Sequence, residues 1–255
     1  MRKLAVLLSA PLLAVSPMLL VSGAGAQEEP ACFIGPEEPP IPATIVGAGV
    51  ITGTNGPDVI AGSPGRDLIR ALGGDDIVCG NGGNDYIDAG AGNDVVIGGG
   101  EPPFLPFGSN DTAFGGPGND VLIGLAGNDT LNGGDGADDL IGMGGNDRLT
   151  GGPGGDVMFG GPGQDYVAGD AGNDLMFGNF GSDTMLGGDG NDEIDGDNPS
   201  PPMPGGPPLD PGTNNDSCLG QAGNDQIFNC ERGDPSTPRE PPFPPPGGED
   251  GDTTG

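Results

Sequence analysis

The amino-acid sequence predicts an all-β solenoid of about seventeen nine-residue repeats, and three locked columns of residues predict it. Aspartates fall at Asp58, Asp67, Asp76, Asp85 and Asp94, and resume after eight extra residues at Asp111. They continue through Asp120, Asp129, Asp138, Asp147, Asp156, Asp165, Asp174, Asp183 and Asp192, and after fifteen more residues Asp216 and Asp225 complete the series. Gly stands two residues before the Asp in fifteen of the seventeen repeats, Ser109 and Asn214 being the exceptions. The residue two after the Asp is apolar in all seventeen, from Ile60 and Ile69 to Cys218 and Ile227. Such a period marks stacked units that bury a core only against one another.

Composition narrows the function before any motif is read. Of 255 residues 56 are Gly and 29 are Pro, with 7 basic side chains against 38 acidic ones and a net charge of −31. Nucleic acid and anionic membrane surfaces are poor partners for such a charge. The chain has no histidine, which removes Ser-His-Asp and Cys-His sites, imidazole zinc sites and His general bases. Gly62-Ser63-Pro64-Gly65 lacks the first Gly of a nucleophile elbow, and the only Lys is Lys3. An enzyme is not expected.

Taken in order, residues 1–26 are a leader. Arg2 and Lys3 precede an apolar run from Leu4 to Val21, and Ala24-Gly25-Ala26 offers a small-x-small cleavage site. This pattern is a secretory signal peptide, so the protein is expected outside the cell, soluble and with no membrane insertion. Residues 27–48 form a Pro- and Glu-rich segment ending in the apolar lead-in Ala43-Thr44-Ile45-Val46. Residues 49–230 are the repeat domain. The tail, 231–255, carries Pro241-Pro242-Phe243-Pro244-Pro245-Pro246, which has polyproline II character and is expected to be flexible.

Within each repeat the residue types suit a turn followed by a strand. Glycines reach positive φ and let carbonyls approach an ion. The residue before the Asp is Asn in ten repeats, and Asn tolerates the left-handed conformation. The three residues after the Asp form a strand whose middle side chain points inward. One Asp and several carbonyls per turn supply hard oxygens, which suit Ca²⁺ better than soft metals or Mg²⁺. All seventeen register aspartates are therefore candidate calcium ligands.

Stretches such as Gly115-Gly116-Pro117-Gly118-Asn119-Asp120-Val121-Leu122-Ile123 follow the nonapeptide G-G-x-G-x-D-x-U-x. Over residues 53–228 the chain resembles the RTX, or hemolysin-type calcium-binding, repeat family. The resemblance implies a right-handed parallel β-roll in which two repeats complete one turn and bind several Ca²⁺ ions. The chain departs from much of that family by having an N-terminal signal, a polar tail and no room for a protease, lipase or toxin domain.

Stacking makes the ion necessary. Turns on one edge lie about 4.8 Å apart, so their Asp columns repel without a cation between them. One inward side chain per nine residues is too thin a core to offset the ordering entropy, and the repeats are expected to fold on binding Ca²⁺. If each ion bridges repeats i and i+2, at most fifteen sites exist, and eleven if both insertions break the stack.

Four cysteines in an exported chain suggest two disulfides. About eight coils, roughly 40 Å, separate Cys32 and Cys79 from Cys218 and Cys230, and bridged Cα atoms lie within about 7 Å. The expected pairs are Cys32–Cys79 and Cys218–Cys230, one at each end.

Alternate repeats should lie on opposite faces. One face then presents Val59/Ala61, Ile77/Cys79, Val95/Ile97, Val121/Ile123, Asp139/Ile141, Val157/Phe159 and Leu175/Phe177, of which all but Asp139 are apolar. Val121, Ile123, Ile141, Val157, Phe159, Leu175 and Phe177 are its candidate interface residues, for self-association or a protein partner. The expected function is a secreted calcium-loaded binding or structural module. The alternatives are a cell-surface adhesion or matrix repeat protein, or an accessory module of a secreted degradative enzyme.

Overall fold

The structure, a computed structural model, describes residues 31–32, 41–99, 108–196, 217–222, 225–228 and 232–233. The leader and most of the predicted tail lie outside the described residues. Every regular element among the described residues is a strand, and each of the seventeen repeats contributes one, beginning directly after its Asp. Strands alternate between two parallel ten-stranded sheets. One sheet runs from Ile45–Val46 to Gln226–Phe228 and the other from Val50–Thr52 to Arg232–Gly233. Neighbours in a sheet are two repeats apart in sequence, as in Leu122↔Leu140 and Leu131↔Leu149. The arrangement is a parallel β-roll with one coil per two repeats.

Three strands of the two long sheets belong to no Asp repeat. Ile45–Val46 pairs with Ile60 and Ala61, Val50–Thr52 pairs with Leu68–Arg70, and Arg232–Gly233 pairs with Ser217 and Cys218. The first two form a coil of their own that closes the N-terminal end of the core. Neither insertion interrupts the stack. Tyr86 pairs with Thr112 and Val95 with Val121 across the first, and Thr184 pairs with Ser217 across the second. The limit of eleven sites for a broken stack therefore does not apply.

Inward positions read Asp, apolar and then Gly at i, i+2 and i+4, with Ala71 and Ala89 in place of Gly in two of the early repeats, as the two-residue pleat demands. Fifteen of the apolar members, from Ile60 to Ile194, and Cys218 after them are at most 1 % exposed, while Ile227 packs on the column partly buried. Each fully buried Leu, Ile or Met side chain contributes about 1.5–3 kcal/mol. Outside the roll, Ala31–Cys32 pairs antiparallel with Ile41–Pro42, and Cys32 is disulfide-bonded to Cys79 with a Cα–Cα distance of 5.6 Å. Cys218 is also disulfide-bonded, and its expected partner Cys230 lies outside the described residues.

Candidate metal centre

The aspartates line the two long edges of the roll, where turn becomes strand. Asp58, Asp76, Asp94, Asp120, Asp138, Asp156, Asp174, Asp192 and Asp225 follow one edge. Asp67, Asp85, Asp111, Asp129, Asp147, Asp165 and Asp183 follow the other. All of these are buried, at 9 % exposure or less, except Asp225, which is half-buried. Asp216 lies outside the described residues.

Each column is tied by hydrogen bonds. The backbone N–H of an Asp donates to Oδ1 of the Asp one coil further on, at 2.8 Å from Asp58 to Asp76, Asp67 to Asp85, Asp120 to Asp138 and Asp147 to Asp165. The bond persists across both insertions, at 2.8 Å from Asp94 to Asp120 and 3.1 Å from Asp192 to Asp225. The other oxygen is left over. Oδ2 of Asp76, Asp85, Asp129, Asp138, Asp147, Asp156, Asp165, Asp174 and Asp192 is buried without a hydrogen-bond partner. A buried carboxylate oxygen left unsatisfied carries a large desolvation cost.

The glycine columns are shaped around these carboxylates. A β-carbon at Gly115 would lie 2.3 Å from Oδ2 of Asp120, five residues on, so Gly makes room for the oxygen. At the second column, two residues before the Asp, a β-carbon at Gly136 would lie 1.5 Å from the carbonyl oxygen of Gly118. Carbonyls of successive turns thus stack along each edge. Among the described residues no three acidic or sulfur side chains gather into one cluster, so turn carbonyls must complete any coordination sphere. An orphaned anionic oxygen among carbonyl oxygens fits Ca²⁺, a hard cation that accepts six to eight oxygen ligands.

Burial is the largest cause of a pKa rise within both columns, and like charges one coil away add to it at Asp85, Asp129, Asp156, Asp165 and Asp174. It pushes Asp85, Asp129, Asp156 and Asp165 up to about 7 and Asp138, Asp147 and Asp174 to about 6. These sites suit a bound proton or a bound metal and disfavour an empty anionic state.

Two expectations need correction. Among the described residues, the Asn residues before the Asp do not adopt positive φ. The non-Gly residues that do are Leu72, Asn81, Leu125, Met143, Asp170, Asn179 and Gln221, all four residues before an Asp. The Asn column instead forms a second ladder, missed in the sequence because turn propensity offered a sufficient reason for Asn. The backbone N–H of Asn119, Asn128, Asn146 and Gln164 donates to Oδ1 of Asn93, Asn110, Asn128 and Asn146, at 2.7–3.0 Å. Its polarity is opposite to that of the Asp ladder. The second correction concerns the apolar face. Val121 and Ile123 are buried at 4 % and 8 % exposure, whereas Ile141, Val157, Phe159, Leu175 and Phe177 are half-buried. Phe159 and Phe177 stack there with centroids 4.9 Å apart.

The model of the RTX calcium-binding nonapeptide repeat (four copies) matches the chain at residues 52–87, 80–101, 107–140, 132–167, 141–176 and 168–198, more than half of its length. No curated protein matches the chain.

Proposed function

The chain belongs to the RTX calcium-binding nonapeptide repeat family and binds several Ca²⁺ ions, and from this premise we propose that it is a secreted module that folds on calcium. It acts outside the cell as a binding or structural element and performs no catalysis. The observation that carries this reading is the row of nine buried Oδ2 atoms without partners, which recurs from coil to coil. Export is supported by the basic, apolar and small-residue pattern of residues 1–26. Bound Ca²⁺ supplies positive charge to the columns. The chain's own residues hold each carboxylate in place through Oδ1, keep Oδ2 dry and present turn carbonyls beside it.

A chain with −31 net charge and no His offers little for acid–base or nucleophilic chemistry, which supports a non-enzymatic role. The stripe from Ile141 to Phe177 is the surface for a second copy of the chain, a role open to it once calcium has neutralised the edges. Replacing Val157, Phe159, Leu175 and Phe177 by Thr should then abolish calcium-dependent association while leaving the β signal intact. Circular dichroism of residues 27–255 tests the central reading. Excess chelator should remove most of the β signal and added Ca²⁺ restore it, and an unchanged spectrum in chelator would sink the reading. Fractionating cells from medium separates a free secreted module from a cell-surface adhesion protein.

A further inference from the structure

The first two aspartates each take an amide and a hydroxyl at Oδ2 from the residue four before them, whereas further along Oδ2 of Asp111 takes a hydroxyl from Ser109, two residues before it, at 3.0 Å. Oδ2 of Asp58 accepts from the Thr54 N–H at 2.7 Å and the Thr54 hydroxyl at 2.9 Å. Oδ2 of Asp67 accepts in the same way from Ser63, at 2.6 Å from N–H and 3.0 Å from the hydroxyl. Its Oδ1 accepts from the Gly49 N–H of the coil that precedes the repeats. Thr54 and Ser63 stand four residues before their Asp. In later repeats, wherever that position is described, it is held by residues of positive φ, such as Gly134 at +109° and Met143 at +72°. Neither Thr54 nor Ser63 has positive φ, and the altered turn aims amide and hydroxyl at the carboxylate. Each hydroxyl is itself held by the N–H two residues on, Gly56 at 3.1 Å and Gly65 at 3.2 Å.

We propose that residues 41–71 form a calcium-independent cap in which Thr54 and Ser63 stand in for the ion at Asp58 and Asp67, and that the calcium-dependent coils assemble on it. The proposal rests on the calcium-folding reading above and assigns where that dependence begins. Charge agrees with the hydrogen bonds. Residues 41–71 contain two Asp, balanced by Arg66 and Arg70, whereas residues 108–196 contain fifteen Asp and Glu193 against Arg148 alone. The repulsion that calcium must relieve is therefore concentrated away from this end. The coil holding Ile45 and Ile51 has no Asp and covers the core beneath it. The Cys32–Cys79 disulfide, with a sequence separation of 47, links the segment before the cap to the coil after it. Strand-forming β-branched residues fill the adjacent core column as Ile51, Ile60, Ile69, Val78, Ile87 and Val96, before Leu and Met take over.

Amide hydrogen exchange read by mass spectrometry on residues 27–255, with disulfides intact, tests this. In excess chelator the amides of Val59–Ala61 and Leu68–Arg70 should exchange at least tenfold more slowly than those of Val157–Gly163. With Ca²⁺ all should be protected. Uniform loss of protection in chelator overturns the cap and leaves calcium-dependent folding standing. Uniform protection in chelator overturns calcium-dependent folding itself, and the cap with it. A double variant, Thr54→Val with Ser63→Ala, should lose the chelator-resistant protection yet stay folded with Ca²⁺, and Thr54→Ser with Ser63→Thr should keep it. If the first variant behaves as wild type in chelator, the hydroxyls do not substitute for the ion and the proposal fails.

Discussion

A β-carbon at Gly136 would sit 1.5 Å from the carbonyl oxygen of Gly118, a distance no backbone tolerates. Gly136→Ala should therefore lower the stability of the calcium-loaded roll by more than about 2 kcal/mol, through overpacking and backbone strain together. Gly144→Ala meets nothing nearer than 3.8 Å and should stay within about 0.5 kcal/mol. Thermal melts in Ca²⁺ compare the two. Leu72 predicts the opposite sign. It has φ +81° at the position where the repeat favours Gly, and its side chain is 45 % exposed. Leu72→Gly relieves the left-handed strain and should raise stability by up to about 1 kcal/mol in the same melts. These residue-level details were only partly legible. The period showed that Gly recurs. It could not show that one column makes room for a carboxylate and another for a carbonyl, because both contacts cross between repeats.

At the scale of the strand and its turn, the Asp column decides behaviour. Asp156 is pushed up to about 7 chiefly by burial, so its carboxyl binds a proton more tightly in the roll than in the unfolded chain. The same holds for Asp85, Asp129 and Asp165 at about 7, and for Asp138, Asp147 and Asp174 at about 6. A raised folded-state pKa gives stability that is fully present below the ordinary carboxylate range and is lost as pH rises through the raised value. Calcium-free protein should accordingly gain β signal on acidification from pH 7 towards pH 4, read by circular dichroism in chelator. Calcium affinity should fall over the same window as protons compete. Asp156→Asn separates the two roles. It retains an Oδ1 for the ladder bond from Asp138, present at 2.9 Å, and removes a buried charge. The variant should bind at least one ion fewer by native mass spectrometry and melt lower in Ca²⁺, yet in chelator need less acid than wild type to gain β signal. Seventeen strands and their inward residues were legible, since each lies two residues after an Asp. The Thr54 and Ser63 turns were not, because in sequence they look only like departures from glycine.

For the whole molecule, the two sheets share one thin core, and a solenoid of this kind stands or falls by neighbouring coils. The disulfide between Cys32 and Cys79 closes a loop of 47 residues at one end, a constraint worth about 4 kcal/mol in the chain-entropy account. Replacing both cysteines by Ser should lower the midpoint of unfolding for the first coils, followed by hydrogen exchange, while leaving the Ca²⁺ stoichiometry of the later ones unchanged. The two-sheet architecture was readable because alternate repeats must face opposite ways. The coil at Ile45 and Ile51 was not, for it contains no Asp, and although Ile51 stands nine residues before Ile60, Ile45 lies off that step, six before Ile51.

The 2.8 Å bond from Asp94 to Asp120 spans 26 residues, where the bond from Asp120 to Asp138 spans 18 at the same length. The roll thus registers corners and ignores the length of chain between them. A foreign peptide, or a small domain whose ends lie close together, spliced between Gly99 and Gly108 should be carried as a passenger without disturbing the coils on either side. The protein would then serve as a calcium-set display scaffold.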